Sequence, residues 1–105
     1  MNEPPYRDLA DGLELMAQAL KGGTALETAL KNAARHSVNP RLRGALDAMV
    51  AGWRERADIV APMRSHPDFF QRAFIQITQV GFQTGALDKV WAPAAVAYRE
   101  TAQKH

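Results

Sequence analysis

The sequence predicts an all-α fold in which short helices pack as antiparallel hairpins. Apolar residues recur at intervals of three and four through most of the chain, which is the spacing that lines one face of an α-helix. Glycine and proline residues separate these runs at points where helices usually start or stop. The alternating apolar pattern of strands and the Asn-Gly or Asp-Gly turns of β-hairpins do not occur in the sequence.

The composition indicates one small domain and argues against several functional classes. A chain of 105 residues with 47% hydrophobic content can build one core, and not two. The net charge of +2 is a near balance, which gives weak support for nucleic-acid binding. The chain has no cysteine, no secretory signal pattern and no apolar run near the ~20 residues that span a bilayer. We therefore expect these residues to form a soluble cytoplasmic domain.

The first helix is predicted over residues 6–21, after a disordered lead-in at residues 1–5. Its apolar stripe consists of Tyr6, Leu9, Leu13, Met16 and Leu20. Gly22 and Gly23 end this helix, and Thr24 is expected to cap the second helix in a capping box with Glu27. The second helix, residues 25–36, is expected to bury Leu26, Ala29, Leu30 and Ala33.

An Asn-Pro pair predicts the start of the third helix, with Asn39 as N-cap and Pro40 as the first helical residue. The apolar side of this helix carries Leu42, Leu46, Met49, Val50 and Trp53. The helix ends near Gly52 or a few residues later. Residues 57–64 are expected to form a short, weak helix at best, because Pro62 removes one hydrogen bond of the helical ladder.

Residues 66–87 organise the remaining chain. Here we predict a fifth helix with Pro67 in its first turn, followed by a Gly-x-x-x-Gly break and another helix. The predicted core face of the fifth helix consists of Phe70, Phe74, Ile77 and Val80. Gly81 and Gly85 bracket its exit, and either could take the left-handed conformation that ends a helix.

The sixth helix is predicted to carry its apolar stripe on Leu87, Val90, Trp91, Ala94 and Tyr98. Pro93 lies inside it at a cost of roughly 3 kcal/mol, so a kink is expected near Lys89 and Val90. These helices make residues 6–101 a single helical domain, with residues 102–105 as a tail. The similar segments GGTALETAL and TGALDKVWA each begin the second helix of a hairpin, so the bundle could contain a pseudo-twofold.

The sequence lacks the patterns expected of a catalytic or metal site. His36, His66 and His105 have no second metal ligand at helical spacing, and His66 is expected to be a loop or capping residue. The acid pairs Asp11 with Glu14 and Glu55 with Asp58 are expected to be solvated rather than catalytic. Trp53 and Trp91 fit helical core stripes. We expect no enzyme activity and no cofactor.

Three segments carry a family resemblance. They are LMAQALKGGTALETAL at residues 15–30, Asn39-Pro40-Arg41-Leu42 leading to Val50-Ala51-Gly52, and HPDFF at residues 66–70 followed by VGFQTGALDKV at residues 80–90. Their order and spacing resemble the cytoplasmic domain of the secretion protein F family, the inner-membrane platform of type II secretion systems and type IV pili. The resemblance covers roughly Leu9 to Glu100. The family-motif positions are Gly22, Gly23, Pro67, Phe70, Gly81, Thr84, Gly85 and Leu87.

The resemblance implies a compact six-helix bundle that serves as a scaffold without catalysis or cofactor. It implies a position on the cytoplasmic face of the bacterial inner membrane, with the membrane reached only through segments outside this chain. The implied partners are the assembly ATPase, other platform components and a second copy of the chain, with no nucleic acid. ATP hydrolysis would belong to the partner, since this sequence has no phosphate-binding Gly-x-x-x-x-Gly-Lys loop.

One departure from the family pattern concerns Phe82, which stands where the family usually has glutamate and so argues against cation binding there. Phe82 could be a partner contact or part of the core rim, and Phe82→Ser is expected to weaken association with little loss of stability. The arginines Arg41, Arg43, Arg54 and Arg56 could contact an ATPase or anionic lipid, or form a solvated face. The alternative function is a small free-standing helical protein that binds nucleic acid or acts as an adaptor, and an enzyme that uses scattered acids is the third hypothesis.

Overall fold

The computed structural model describes residues 6–104, and within them the chain is helical with no strand. The helices are α1 (Tyr6–Lys21), α2 (Leu26–His36), α3 (Pro40–Arg56), α4 (Val60–Arg64), α5 (Arg72–Thr84) and α6 (Leu87–Gln103). The predicted all-α fold is therefore confirmed. The predicted lead-in at residues 1–5 and His105 lie outside the described residues.

The helices form a closed ring. Each helix packs against the next one along the chain, and α6 returns to make the most extensive contact of the bundle with α1. These two helices are antiparallel, because Tyr6 at the start of α1 lies 5.2 Å from Tyr98 near the end of α6, measured between ring centroids. Arg99 of α6 also links the two helices, because it donates hydrogen bonds to Asp11 of α1 at 2.7 Å and to Glu14 of α1 at 2.6 Å.

One core fills the centre of the ring, and every helix contributes to it. The large apolar side chains that are essentially fully buried are Leu9, Leu13, Met16, Leu30, Leu42, Leu46, Met49, Ile59, Met63, Phe69 and Trp91. The predicted stripe of α1 faces this core, with Tyr6 and Leu20 half-buried at its ends. The short helix α4 also contributes Val60 and Met63, so it is a structural part of the bundle.

The two helix ends predicted at glycine residues are confirmed, and both have the same backbone geometry. Gly23 and Gly85 take positive φ angles of 94° and 70°. The amide of the residue after each glycine donates back across the helix end, from Thr24 to the Ala19 carbonyl at 2.9 Å and from Ala86 to the Gly81 carbonyl at 2.7 Å. This six-residue closure satisfies carbonyls that a helix end would otherwise leave unpaired.

The two predicted N-terminal caps had opposite outcomes. The Asn39 cap is confirmed, since its side-chain oxygen accepts from the amides of Arg41 at 3.0 Å and Leu42 at 3.2 Å. The prediction of a Thr24 capping box is wrong. Helix α2 starts one residue later than predicted, with Ala25 at the cap position and no side-chain hydrogen bond to the cap. The carboxylate of Glu27 instead accepts a hydrogen bond from Arg54 of α3.

The start of α5 also differs from the prediction. The helix begins at Arg72, and the amides of Phe69 and Phe70 both donate to the His66 carbonyl at 3.1 Å in a separate turn. Pro67 therefore lies in that turn and not in the first turn of α5. The turn places the side chains of Phe69 and Phe70 in the core. Burial of these two large aromatic side chains stabilises the turn relative to a continuous helix that would expose them.

The buried face of α5 is rotated relative to the predicted one. Its buried residues are Phe74, Ile75, Thr78 and Gly81. Ile77 and Val80, which were expected in the core, are 52% and 58% exposed. The rotation arises because α6 packs against the side of α5 that carries small or polar residues. At Gly81 the two helices are so close that an added Cβ atom would lie only 2.8 Å from Cγ2 of Val90.

The sixth helix runs through Pro93 and extends to Gln103, two residues into the predicted tail. Because proline has no amide hydrogen, the carbonyl of Lys89, four residues earlier, has no ladder donor. The kink expected at this point stays a prediction. None of the helices between residues 6 and 104 is both long and apolar enough to span a lipid bilayer.

Candidate interaction surface

Most of the predicted family-motif positions serve turns and packing. Gly22 and Gly23 form the exit of α1, while Gly81 permits the close approach of α6 described above. Phe70 and Leu87 are buried, whereas Pro67 is exposed in its turn. The hydroxyl of Thr84 donates to the Val80 carbonyl at 2.9 Å within the last turn of α5. These residues shape the α1–α2 and α5–α6 hairpins, and their assignment as family-motif positions stays a prediction.

The four candidate arginines do not form one cluster. Arg41 and Arg43 lie in the first turn of α3, and Arg54 and Arg56 lie in its last turn. With a rise of about 1.5 Å per residue, the two pairs are roughly 20 Å apart along the helix axis. A single partner group could not contact both pairs at once.

Three of these arginines already have partners within the described part of the chain. Arg41 pairs with Asp68 and lies over the ring of Phe69, 5.4 Å from its centroid. Arg43 donates to the Ser37 carbonyl at 2.7 Å. Partner contact through these side chains stays a prediction, and it would compete with the existing bonds.

Arg54 joins the end of α3 to the start of α2. Its guanidinium lies 3.0 Å from the carboxylate of Glu27, and the hydrogen bond between them lowers the pKa of Glu27. Lys31 lies on the other side of the same carboxylate at 3.3 Å. All four candidate arginines are exposed, but Arg56 is the one without a hydrogen bond or ion pair among the described residues, so it is the most accessible to a partner.

Phe82 lies at the rim of the core. It is half-buried, and its ring meets that of Trp53 edge-on, with centroids 5.6 Å apart and planes at 87°. A shallow depression beside it is lined by Leu20, Leu26 and Leu87. The expectation that Phe82 could be changed with little loss of stability is revised, because this packing would be lost.

An apolar groove with a volume of about 560 Å³ lies between α5 and α6. Its walls are formed by Ala73, Phe74, Ile77 and Val80 of α5 and by Val90, Pro93, Ala94, Ala97, Tyr98 and Thr101 of α6, with Gln71 and Lys89 at its edges. Ile77 and Val80 stand exposed on the α5 side. The groove was not predicted from the sequence, because the apolar spacing of both residues indicated the core.

Tyr98 brings an unusual polar group to this groove. The residue is only 6% exposed, and its hydroxyl is buried with no hydrogen-bond partner of ordinary geometry among the described residues. Burial raises the pKa of Tyr98 to about 12, a rise that the backbone of Gln71 partly opposes. A buried hydroxyl without an ordinary hydrogen bond carries an energetic cost in the folded chain.

The remaining titratable candidates have structural contacts. Asp11 and Glu14 both bond Arg99, and Asp58 accepts from the amide of Val60 at 2.8 Å at the start of α4. Within residues 6–104 there is no group of three or more histidines and acids placed to hold a metal ion.

The two described histidines lie in local helical or loop geometry. His36 Nδ1 is 2.8 Å from the Asn32 carbonyl, and His66 Nδ1 is 3.0 Å from the Pro62 carbonyl. The prediction that His66 is a loop residue is confirmed.

Comparison with known proteins gives the family. A search of the curated proteins found no match. The family model described as type II secretion system (T2SS), protein F, matches residues 13–105. This match spans the greater part of α1 and all of the following helices, including both glycine exits and the groove. The chain belongs to the type II secretion system protein F family.

Proposed function

We propose that this chain is a non-catalytic cytoplasmic scaffold domain of an inner-membrane platform protein for type II secretion or type IV pilus assembly. It contacts the assembly ATPase and neighbouring platform subunits. The observation that carries this proposal is the family match over residues 13–105, which covers the folded bundle rather than an isolated motif.

The distribution of side chains supports a binding role. Several charged residues are engaged in bonds between helices, as with Arg99 to Asp11 and Glu14 and with Arg54 to Glu27. An apolar groove bordered by exposed Ile77 and Val80 lies on the surface between α5 and α6. Contiguous exposed apolar surface on a soluble protein commonly marks a protein-binding site.

The test uses the purified chain with the assembly ATPase from the same organism. Capture of the ATPase on the immobilised chain, together with sedimentation of each protein alone and of the mixture, should show a complex. If the chain binds neither the ATPase nor any other platform component, the scaffold proposal is wrong.

A matched pair of charge reversals examines the accessible end of α3. Arg56→Glu should weaken ATPase capture if this end forms the contact, whereas Arg64→Glu on α4 makes the same charge change on another exposed surface and should not. If both variants weaken ATPase capture equally, the loss is a general effect of charge, and Arg56 is not a specific contact.

A further inference from the structure

The two walls of the α5–α6 groove are the two longest uncharged stretches of the sequence. No charged residue occurs between Arg72 and Asp88 or between Lys89 and Arg99, although charged residues make up 23% of the chain. The fold places these stretches side by side, with α5 as one wall and α6 as the other. Depletion of charge in an exposed area is the compositional feature of the centre of a protein–protein interface.

The spacing of the wall residues indicates what shape of partner fits. On α5, Ala73, Ile77 and Val80 follow intervals of four and three, and on α6 the groove residues Val90, Ala94, Ala97 and Thr101 follow four, three and four. These are the intervals at which one helix presents side chains to another helix lying along it. Two adjacent helices that both expose such a row leave a site for a third helix.

One charged side chain gives the groove a direction. Of the described residues that line it, Lys89 alone is charged, and its own carbonyl lacks a ladder donor because of Pro93. Tyr98 lies nine residues further along α6, which is about 14 Å at the helical rise, and its hydroxyl is closed off from solvent. A partner that fits the groove therefore carries an acidic group at the Lys89 end and an apolar face along the remainder.

We propose that this groove binds an amphipathic helix of another protein of the assembly. The apolar face of that helix lies between Ile77 and Ala97, and one of its carboxylates meets Lys89. The inference rests on the proposed scaffold function and adds to it the surface used and the kind of segment bound. Helix-in-groove binding of this kind depends on a few apolar anchors spaced by helical turns.

Charge argues against a second copy of this chain as the occupant. The exposed apolar row that a second copy could insert is that of α5, and α5 contains no carboxylate to meet Lys89. The expected occupant is therefore a different protein, and self-association through the groove would contradict the inference.

The first experiment places a photo-crosslinking amino acid at Ile77 of the full protein in cells that produce the complete secretion or pilus machinery. The same label at Val96 is the matched control, because Val96 is 57% exposed on α6 but lies outside the groove. Labels at Arg56 and Arg64 sample other faces. Mass spectrometry of the products should show that Ile77, and not Val96, joins an amphipathic helical segment of another component.

The second experiment measures binding of that segment as a synthetic peptide. Ile77→Asp should weaken the peptide affinity roughly tenfold or more, while Val96→Asp should leave it within about twofold. Both variants should keep the melting temperature of the unmodified chain, because both side chains are exposed.

The outcomes separate this inference from the proposed function. Cross-linking of Ile77 to a second copy or to lipid would overturn the helix assignment. Capture of platform components only from other labelled faces would overturn the groove inference and leave the scaffold function standing. Failure to capture any component of the machinery from any face would overturn both.

Discussion

Trp91 donates its indole N–H to the hydroxyl of Thr78 at 3.1 Å, and neither side chain is exposed to solvent. This bond connects α5 to α6 beneath the apolar groove. It also explains why a threonine lies on the buried face of α5, where the hydrophobic pattern alone would place isoleucine or valine. An indole N–H that is buried needs an acceptor, and Thr78 supplies it.

Thr78→Val should therefore destabilise the fold by about 1–3 kcal/mol although it hardly changes the volume of the side chain, because the Trp91 N–H loses its acceptor. Urea unfolding followed by circular dichroism measures this loss. Thr84→Val in the same helix is the control and should stay within about 0.5 kcal/mol, since Thr84 is exposed. Equal stability of Thr78→Val and the unmodified chain would show that the bond contributes nothing.

Two glycines of α3 should respond in opposite directions to alanine. A Cβ atom at Gly52 would lie 2.5 Å from the Asp58 carbonyl oxygen and 2.8 Å from Cγ of Pro62, so Gly52→Ala should cost about 1–3 kcal/mol or more. Gly44 has no atom within 4 Å of that position, and Gly44→Ala should stabilise the helix by about 0.5–1 kcal/mol. Thermal unfolding of the two variants checks this contrast, and a stable Gly52→Ala would mean that the α3–α4 connection can move apart freely.

Phe82→Ser should lower the melting temperature. The substitution removes the edge-on contact with Trp53 and exposes neighbouring apolar surface, at an expected cost of about 1–3 kcal/mol, or several degrees in a domain of this size. The adjacent and exposed Gln83→Ser is the control. A melting temperature within about one degree of the unmodified chain would show that the packing of Phe82 does not stabilise the core.

The raised pKa of Tyr98 predicts a loss of stability in strong alkali. The folded chain holds the phenolic proton up to about pH 12, while a tyrosine in the unfolded chain loses it near pH 10. Stability from this group is therefore complete below about pH 10 and falls as the pH rises toward 12. Tyr98→Phe should remove this part of the alkaline destabilisation.

Tyr98→Phe should not destabilise the chain near neutral pH, since the hydroxyl that it deletes has no ordinary hydrogen-bond partner. Denaturant unfolding at pH 8 and pH 11 of both proteins gives the comparison. An identical pH dependence for the two proteins would show that Tyr98 does not carry the effect.

The features that local chemistry determines were predictable from the sequence. Asn39 before Pro40 and the glycines at 23 and 85 act through their own backbone geometry or through bonds that span a few residues, so the pattern alone identified them. The Thr24 capping box failed because Glu27 is drawn away by Arg54, a residue 27 positions further along the chain. Sequence patterns do not show which of two competing local and distant bonds prevails.

The orientation of α5 shows a second limit. Phe74, Ile77 and Val80 form a regular apolar row, but a helix buries the side that fits its neighbour most closely. Gly81 lets Val90 approach, and Thr78 satisfies Trp91, so a glycine and a threonine occupy the interface while Ile77 and Val80 remain outside. For this reason the apolar spacing did not predict the groove, although the two long uncharged stretches could have indicated it.

The contact between α1 and α6 closes the ring by joining the two helices of the bundle that lie furthest apart in sequence. During synthesis, α1 must wait for the other helices of the bundle before its main packing partner emerges from the ribosome, and contacts so distant in sequence slow folding. The same contact places Tyr6 next to Tyr98. A short linker could therefore join the two ends of the bundle, and new ends could be opened at the Gly22–Gly23 turn without breaking a helix, which would convert the slow closing contact into a local one.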